Sequence, residues 1–494
     1  MARRDTELAT LAERPASETD AAGIRGTARG GLVNLVGAAV AGGGGLAVTW
    51  LVAVALSPEQ AGAFFAATSV FLVTAAVARL GTPTGLIYWV ARLRQTGREA
   101  AIGSVLRTAL IPACAASVGA AVLLLVGAPL SASADLVRLL ALFLPASVAL
   151  EALLAATRGY RMMGPSVLID KFGRTLTQLI SLAALVLTGS TSTAAVTVAW
   201  ALPYLPAAAA AAWYLGRRRA ADPPSDPGFP DRVDARAFWA FTAPRAIAGV
   251  AQIGLQRVDI VMVAALAGLG PAAVYTVATR FIIIGQLVSG AVGQAVQPRA
   301  AAAMATGESV SARRLYQEST AWIVSLTWPF YLMVGLGVDW YLRLFGGSYD
   351  ADGAREVVWI LVPAMMASSA CGVVDSMLAM AGKTSWQLID VMVSLSVNLV
   401  LNLALIPSLG VVGAAIAWSA AIVVNNLIPL AQLWRTFGLH PFGASARRAL
   451  ASCGIAFGAL PAAAGLLGPS WTLAALAAAG AAWTAVLLRY RGRL

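Results

Sequence analysis

Histidine is almost missing from this chain: His440 is the only one in 494 residues. Histidine-based catalysis and multi-histidine metal sites are thereby nearly excluded. Cysteine is scarce as well. Cys114, Cys371 and Cys453 lie far apart, each within an apolar stretch, and their spacing fits neither a metal site nor a disulfide framework. Charged residues make up only 12% of the chain, and only two of them are lysine, Lys171 and Lys383. Together with the alanine excess, that bias reads as the mark of a GC-rich bacterial genome. No signal peptide opens the sequence: residues 1–29 hold Arg3, Arg4, Glu7, Glu13, Arg14, Glu18, Asp20, Arg25 and Arg29, so this tail is expected to be cytoplasmic and disordered.

What remains is overwhelmingly apolar. Hydrophobic residues form 59% of the chain and the mean hydropathy is +0.77. Apolar runs of about 20 residues, the length that crosses a bilayer, recur throughout, which predicts an all-α polytopic membrane protein. Fourteen spans are expected, at 30–56, 61–90, 101–127, 134–157, 163–188, 191–215, 237–268, 271–296, 315–338, 357–380, 384–406, 410–434, 446–467 and 470–488. Basic residues collect in alternate loops, and the opposite loops carry little beyond Arg343 and Arg355. The positive-inside rule then places both termini in the cytoplasm. The net charge of +12 is thus accounted for by topology, and nucleic acid is not an expected partner.

The linker 216–236, with Arg217, Arg218 and Arg219 followed by Asp222-Pro223-Pro224-Ser225-Asp226-Pro227, divides the chain. A six-helix bundle at 30–215 precedes it, another at 237–434 follows, and 435–494 adds two further helices. Leu56-Ser57-Pro58-Glu59-Gln60-Ala61-Gly62 and Leu269-Gly270-Pro271-Ala272-Ala273-Val274-Tyr275 are weakly alike. Six spans per half predicts parallel repeats with a substrate site between them.

The seventh span carries Arg245, Gln252, Gln256, Arg257 and Asp259. Spacings of seven, four and three put Arg245, Gln252, Gln256 and Asp259 on one helical face. A charge at the centre of a spanning helix costs roughly 2.5–3.5 kcal/mol on insertion scales, so such residues face protein or water. Arg79 in the second span and Arg280 in the eighth hold similar places in the two halves. A guanidinium fork suits bidentate capture of phosphate or carboxylate, which makes Arg79, Arg245, Arg257 and Arg280 candidate anion ligands. The competing reading pairs them structurally with Glu151, Asp259, Asp375 or Asp390, or pairs Arg257 with Asp259. Asp390, Ser394, Asn398 and Asn402 run four apart along the eleventh span and either line a cavity or bond neighbouring helices. Lys171 and Arg174 are expected at the lipid headgroups. Gly42–Gly45 mark a bend or a close helix approach, and Pro244 is placed to kink the helix before Arg245.

Other motifs fail. Gly382-Lys383-Thr384 resembles the end of a phosphate-binding loop, but Met377 stands where the earlier glycine is needed. No other nucleotide site, cofactor site or metal site is visible. A membrane glycosyltransferase or polysaccharide polymerase is the rival of another class, resting on Asp339, Asp350, Asp352 and Glu356 in the longest outer loop.

Several segments then carry a family likeness. They are Leu56–Phe64, Arg79-Leu80-Gly81, Phe241-Thr242-Ala243-Pro244 with Val258-Asp259, Val274–Ala278, Leu344–Tyr349, and Leu401–Pro407 followed by Gly410–Ala417. In this order the chain resembles the multidrug/oligosaccharidyl-lipid/polysaccharide exporter superfamily, in particular its polysaccharide (O-antigen-type) flippases. The resemblance implies twelve core helices in two bundles around a central cavity, often with two extra C-terminal helices. It implies a non-enzymatic flippase of the bacterial cytoplasmic membrane that moves an undecaprenyl-pyrophosphate-linked oligosaccharide to the outer leaflet by alternating access. A polysaccharide polymerase and glycosyltransferases would be its partners beside membrane lipids. A lipid II flippase and a multidrug exporter are the alternatives within the superfamily. Val274 stands where a glycine usually precedes the tyrosine, which weakens the second-half signal.

Overall fold

The computed structural model describes residues 37, 39–127, 132–189, 192–222, 233–305, 308–349 and 353–490. The tail 1–29, the linker residues 223–232, and Asp350 and Asp352 lie outside the described residues. The described chain is helical throughout, and its helices follow the fourteen expected spans in order.

The first half contains α1 (Ala39–Ala55), α2 (Pro58–Ala78, resumed as Thr82–Gln95) and α3 (Glu99–Gly127). It continues with α4 (Ala132–Ala141 and Leu144–Gly159), α5 (Ser166–Arg174 and Thr175–Leu187) and α6 (Thr193–Ala220). The second half contains α7 (Ala235–Leu266), α8 (Leu269–Ala278 and Ile282–Ala305), α9 (Ser309–Leu336) and α10 (Ala354–Met380). The run Thr384–Phe437 is broken at Gly410, whose φ of 56° and ψ of −131° separate α11 from α12. Last come α13 (Ala444–Gly465) and α14 (Pro469–Tyr490). Among the described residues, eight helices are individually long and apolar enough to cross a membrane, or ten with the pairs in α4 and α8, bent by 50° and 44°, taken as single spans.

Local chemistry fixes the helix starts. Ser57 accepts from the Gln60 backbone N–H while Gln60 Oε1 accepts from the Ser57 N–H, a reciprocal cap reinforced by Pro58 in the first turn. Asp234 caps α7 by accepting from Arg236 N at 2.9 Å. Within α2 the helix breaks at Arg79, and Leu80 (φ 51°) and Gly81 (φ 70°) turn through the left-handed region before it restarts.

α7 packs along α2 of the first half on one side and α11 of its own half on the other, so it runs through the centre. The two halves close on each other where α2 and α8 begin. Val52, Leu56 and Phe64 join Val263, Tyr275 and Phe281 in one buried cluster there. Gly62 makes this approach feasible, since a Cβ at that position would lie 1.8 Å from the Leu269 carbonyl oxygen. Of the four glycines in α1, Gly42 lies under Leu287 and Gly44 under Thr175, which favours packing over a hinge.

Candidate functional site

The polar face of α7 meets two cavities in succession. The first, of about 540 Å³, is lined by Thr84, Arg245, Gln252, Asp375, Asp390 and Asn425, among others. The second, of about 60 Å³, lies further along and is lined by Gln256, Arg257, Asp259, Tyr275, Arg280 and Gln286, among others. One helical stripe therefore serves two compartments, and the residues grouped by sequence are divided between them.

In the larger cavity Arg245 is exposed. Its Nη1 donates to the Phe241 carbonyl at 2.7 Å, and its guanidinium lies 3.8 Å over the Phe241 ring. That ring stacks on Tyr88 of α2 at 4.1 Å. Across the cavity Asp390 is 3% exposed. Its Oδ1 accepts from Gln432 Nε2 at 2.8 Å, and Oδ2 has no hydrogen-bond partner.

In the smaller cavity Asp259 is 2% exposed and is held by neutral donors. Asn402 Nδ2 donates to Oδ1 at 2.7 Å and the Tyr275 hydroxyl to Oδ2 at 3.2 Å. Asn402 also donates to Asn398 Oδ1 at 3.1 Å. Asn398 and Asn402 thus brace Asp259 and line neither cavity, while Asp390 at the other end of the same stripe lines the larger one. Asn398 Nδ2 and Asn402 Oδ1 remain without hydrogen-bond partners.

The Arg257–Asp259 pair of the competing reading does not form among the described residues. Helix geometry explains this, because residues two apart point away from each other. Asp259 turns into α8 and α11, whereas Arg257 lies within electrostatic reach of Tyr204 of the first half. Arg280 lies within electrostatic reach of Arg257, and its Nε donates to the Thr276 carbonyl at 2.8 Å. Arg79 lines neither cavity. Its Nε donates to the Ala75 carbonyl at 3.1 Å, and it lies within electrostatic reach of Tyr204. Among the described residues none of Arg79, Arg245, Arg257 and Arg280 forms an ion pair. Glu151 lies instead 4.0 Å from Arg158.

Tyr204 is the centre that sequence reasoning missed. Arg174 stacks over its ring at 4.8 Å, bonds Asp170 at 2.6 Å and donates to Gln178 Oε1 at 3.1 Å. Arg174, expected near the headgroups, is partly buried among these protein partners. The π-helical stretch Ser166–Arg174 and the acid four residues earlier turn it inward. An alanine-rich helix gave no polar stripe around Tyr204 to detect.

Beside the smaller cavity lies a large apolar groove of about 840 Å³. Leu46, Trp50, Phe281, Phe330, Trp340 and Leu476 are among its lining residues, from α1, α8, α9, α14 and the short helix Val338–Arg343. Phe281 follows Arg280 directly, so groove and polar cavity share the break in α8. No group of three or more acidic, cysteine or histidine side chains is placed to hold a metal ion among the described residues.

Comparison with known proteins places this architecture. The MatE family profile matches residues 244–404, a stretch that includes Arg245, Arg257, Asp259 and Arg280 but not Arg79. No curated protein matches the chain by sequence. A solved inward-facing multidrug resistance MATE family transporter of the MOP superfamily aligns with TM-score 0.64 at 15% identity, over 83% of this chain and 94% of its own. The lipid II flippase MurJ in an inward closed conformation aligns with TM-score 0.68 at 12% identity, over 93% and 98%. A MOP superfamily transporter from Pyrococcus furiosus aligns with TM-score 0.58 at 15% identity, over 87% and 96%. The fold is the one these solved transporters and flippases share, and with eight to ten apolar spans among its described residues the chain is a multi-pass membrane protein.

Proposed function

We propose that this protein is a flippase that carries an undecaprenyl-pyrophosphate-linked oligosaccharide from the cytoplasmic to the outer leaflet of the bacterial cytoplasmic membrane. The observation that carries the reading is the meeting, at the break in α8, of unpaired arginines with an apolar groove. Among the described residues Arg257 and Arg280 form no ion pair, and Phe281 lines a groove of about 840 Å³. An anionic headgroup attached to a long hydrocarbon tail fits both at once. The pyrophosphate would engage the guanidinium forks. The glycan would occupy the larger cavity, where Asp390, Gln252 and Asn425 accept and donate hydrogen bonds. The tail would lie along α1, α9 and α14.

A cation exporter should prefer acids in its cavity; here Arg245, Arg257 and Arg280 share the two cavities with Asp259, Asp375 and Asp390, and none of the three arginines is ion-paired among the described residues. The structure from Pyrococcus furiosus is described as having a binding pocket of reverse polarity that suggests a different function. The lipid II flippase role stays the second reading. Its solved example matches 93% of this chain, more than the twelve core helices alone span. Polysaccharide polymerase and glycosyltransferases would act on either side of the transport step.

With the arginine-rich loops in the cytoplasm, both termini are cytoplasmic. In a cysteine-free background, Gly164→Cys should label only from the inside and Gly347→Cys only from the outside. For transport, the purified protein in liposomes should move a fluorescent polyprenyl-pyrophosphate glycan between leaflets and leave a lipophilic cationic dye untransported. Dye transport without movement of the lipid-linked glycan would overturn the proposal.

A further inference from the structure

A second trough lies away from the central cavities, between α3, α4 and α6. It has a volume of about 420 Å³. Each of its two long walls repeats one pattern. α3 contributes Gly103, Leu106, Arg107 and Leu110, and α6 contributes Ala212, Leu215, Gly216 and Arg219. Both sets are spaced three, one and three, which puts each set on a single helical face. α3 and α6 run in opposite directions, yet the arginines meet at one end of the trough.

Gly103 is where they meet. Arg107 Nε donates to the Gly103 carbonyl at 3.4 Å. Arg219 Nη2 lies so close over Gly103 that a Cβ there would be 2.7 Å from it. The absence of a side chain at Gly103 seats the second guanidinium beside the first. Neither arginine forms an ion pair among the described residues. The nearby Asp222 is already engaged, by Arg218 at 3.2 Å and by the Tyr160 hydroxyl. Among the described residues, no carboxylate pairs with either of these two like charges. Beyond them the trough is apolar, with Leu106, Leu110, Ile111, Leu153 and Leu215 along its length, and Ile111 is 64% exposed. Trp213, 62% exposed on α6 with Arg217 stacked 4.9 Å over it, marks the same end as a membrane interface.

We infer that this trough binds an anionic phospholipid, with its phosphate between Arg107 and Arg219 and an acyl chain along the leucines. Charge complementarity selects the ligand: two unpaired guanidiniums at an interface call for a phosphate, and the apolar extension calls for a tail. Under the topology proposed above, the lipid belongs to the cytoplasmic leaflet. The site is separate from the transport cavities, so its failure would leave the flippase reading intact. Bound there, the lipid would hold α3 to α6 beside the start of the linker.

The test uses the full-length protein released from nanodiscs of phosphatidylglycerol or of phosphatidylcholine, with retained lipid counted by native mass spectrometry. One phosphatidylglycerol should be retained in preference to phosphatidylcholine. At low salt, Arg107→Gln with Arg219→Gln should weaken that retention roughly thirty-fold, from about fivefold per arginine at a membrane surface. Leu110→Trp, which fills the trough and leaves both arginines, should also displace the lipid. Thermal unfolding gives an independent readout: short-chain phosphatidylglycerol should raise the melting temperature of the wild type and not of the double variant, whereas glycerol phosphate should do neither. Three results would each overturn the inference: equal retention of phosphatidylcholine, undiminished phosphatidylglycerol on the double variant, or full stabilisation by glycerol phosphate alone.

Discussion

Arg79 and Arg280 occupy equivalent breaks in the two halves of the protein. Each ends the first segment of a bent span, and each donates from Nε to the carbonyl four residues earlier, at 3.1 Å to Ala75 and 2.8 Å to Thr276. Using Nε in this way leaves the two Nη groups of each fork for a ligand. The chain restarts in α2 through Gly81, where φ is +70° and a Cβ would lie 2.8 Å from Ala246 of α7.

That geometry separates two variants. Arg280→Ala should lower transport at least tenfold with little change in melting temperature, because no ion pair is lost. Arg280→Lys should recover only part, since a point charge replaces the fork. Gly81→Ala should do the reverse and lower stability, by about 1–2 kcal/mol from the left-handed backbone alone. Thermal unfolding in detergent and liposome transport, measured on all three, check the separation. A destabilised but transport-competent Arg280→Ala would contradict it.

The Asp259 carboxylate is a structural acceptor within a buried amide and hydroxyl network. Asp259→Asn keeps the shape and can still accept from Asn402, so it should cost less than Asp259→Leu. Leucine would strand the Tyr275 hydroxyl and the Asn402 amide, at about 1–3 kcal/mol for each unsatisfied group. Comparable melting temperatures for the two variants would show that the network contributes little.

Much of this was legible in the sequence, for physical reasons. Span length and arginine asymmetry are consequences of the bilayer, so the number and order of helices could be read directly. The α7 stripe was visible because its spacing obeys the 3.6-residue period. The division of that stripe between two cavities was not, because it depends on what α2 and α11 bring against it. The competing reading that pairs Arg257 with Asp259 fails because two residues apart on a helix means opposite faces. Tyr204 and the inward turn of Arg174 depend on a π-helical stretch, and no residue pattern in Ser166–Arg174 announces one. The trough between α3 and α6 repeats a spacing that could have been found, had the two helices been known to be neighbours.

At the arginine-rich end, Tyr160 donates its hydroxyl to Asp222, and Arg94 and Arg218 stack on its ring at 5.2 and 4.9 Å. Burial, followed by the hydrogen bond and charge of Asp222, pushes the phenol above its ordinary value of about 10. The folded protein therefore keeps this proton where the unfolded chain loses it. The contribution to stability is whole below about pH 10 and falls as the pH rises toward the folded value. Tyr160→Phe should cost about 1–2 kcal/mol at pH 7, and the gap to the wild type should narrow only above about pH 10. A gap that closes between pH 5 and 8 would assign the effect to another group.

Arg245 offers the sharpest division between a ligand-binding and a structural arginine. It is exposed in the cavity of about 540 Å³, bonded only to its own helix at the Phe241 carbonyl and stacked on the Phe241 ring. The acids facing it, Asp375 and Asp390, form no ion pair with it among the described residues. If the fork serves a passing headgroup, Arg245→Ala should leave expression and melting temperature near those of the wild type while transport falls tenfold or more. Arg245→Lys should transport at an intermediate rate, and added salt should weaken it further than the wild type, because a lone ammonium relies more on charge than on paired hydrogen bonds. A structural arginine behaves otherwise: alanine lowers yield and melting temperature together, and neutralising Asp375 or Asp390 restores both. Normal transport by a normally folded Arg245→Ala would remove this residue from the path and leave Arg257 and Arg280 as the anion ligands.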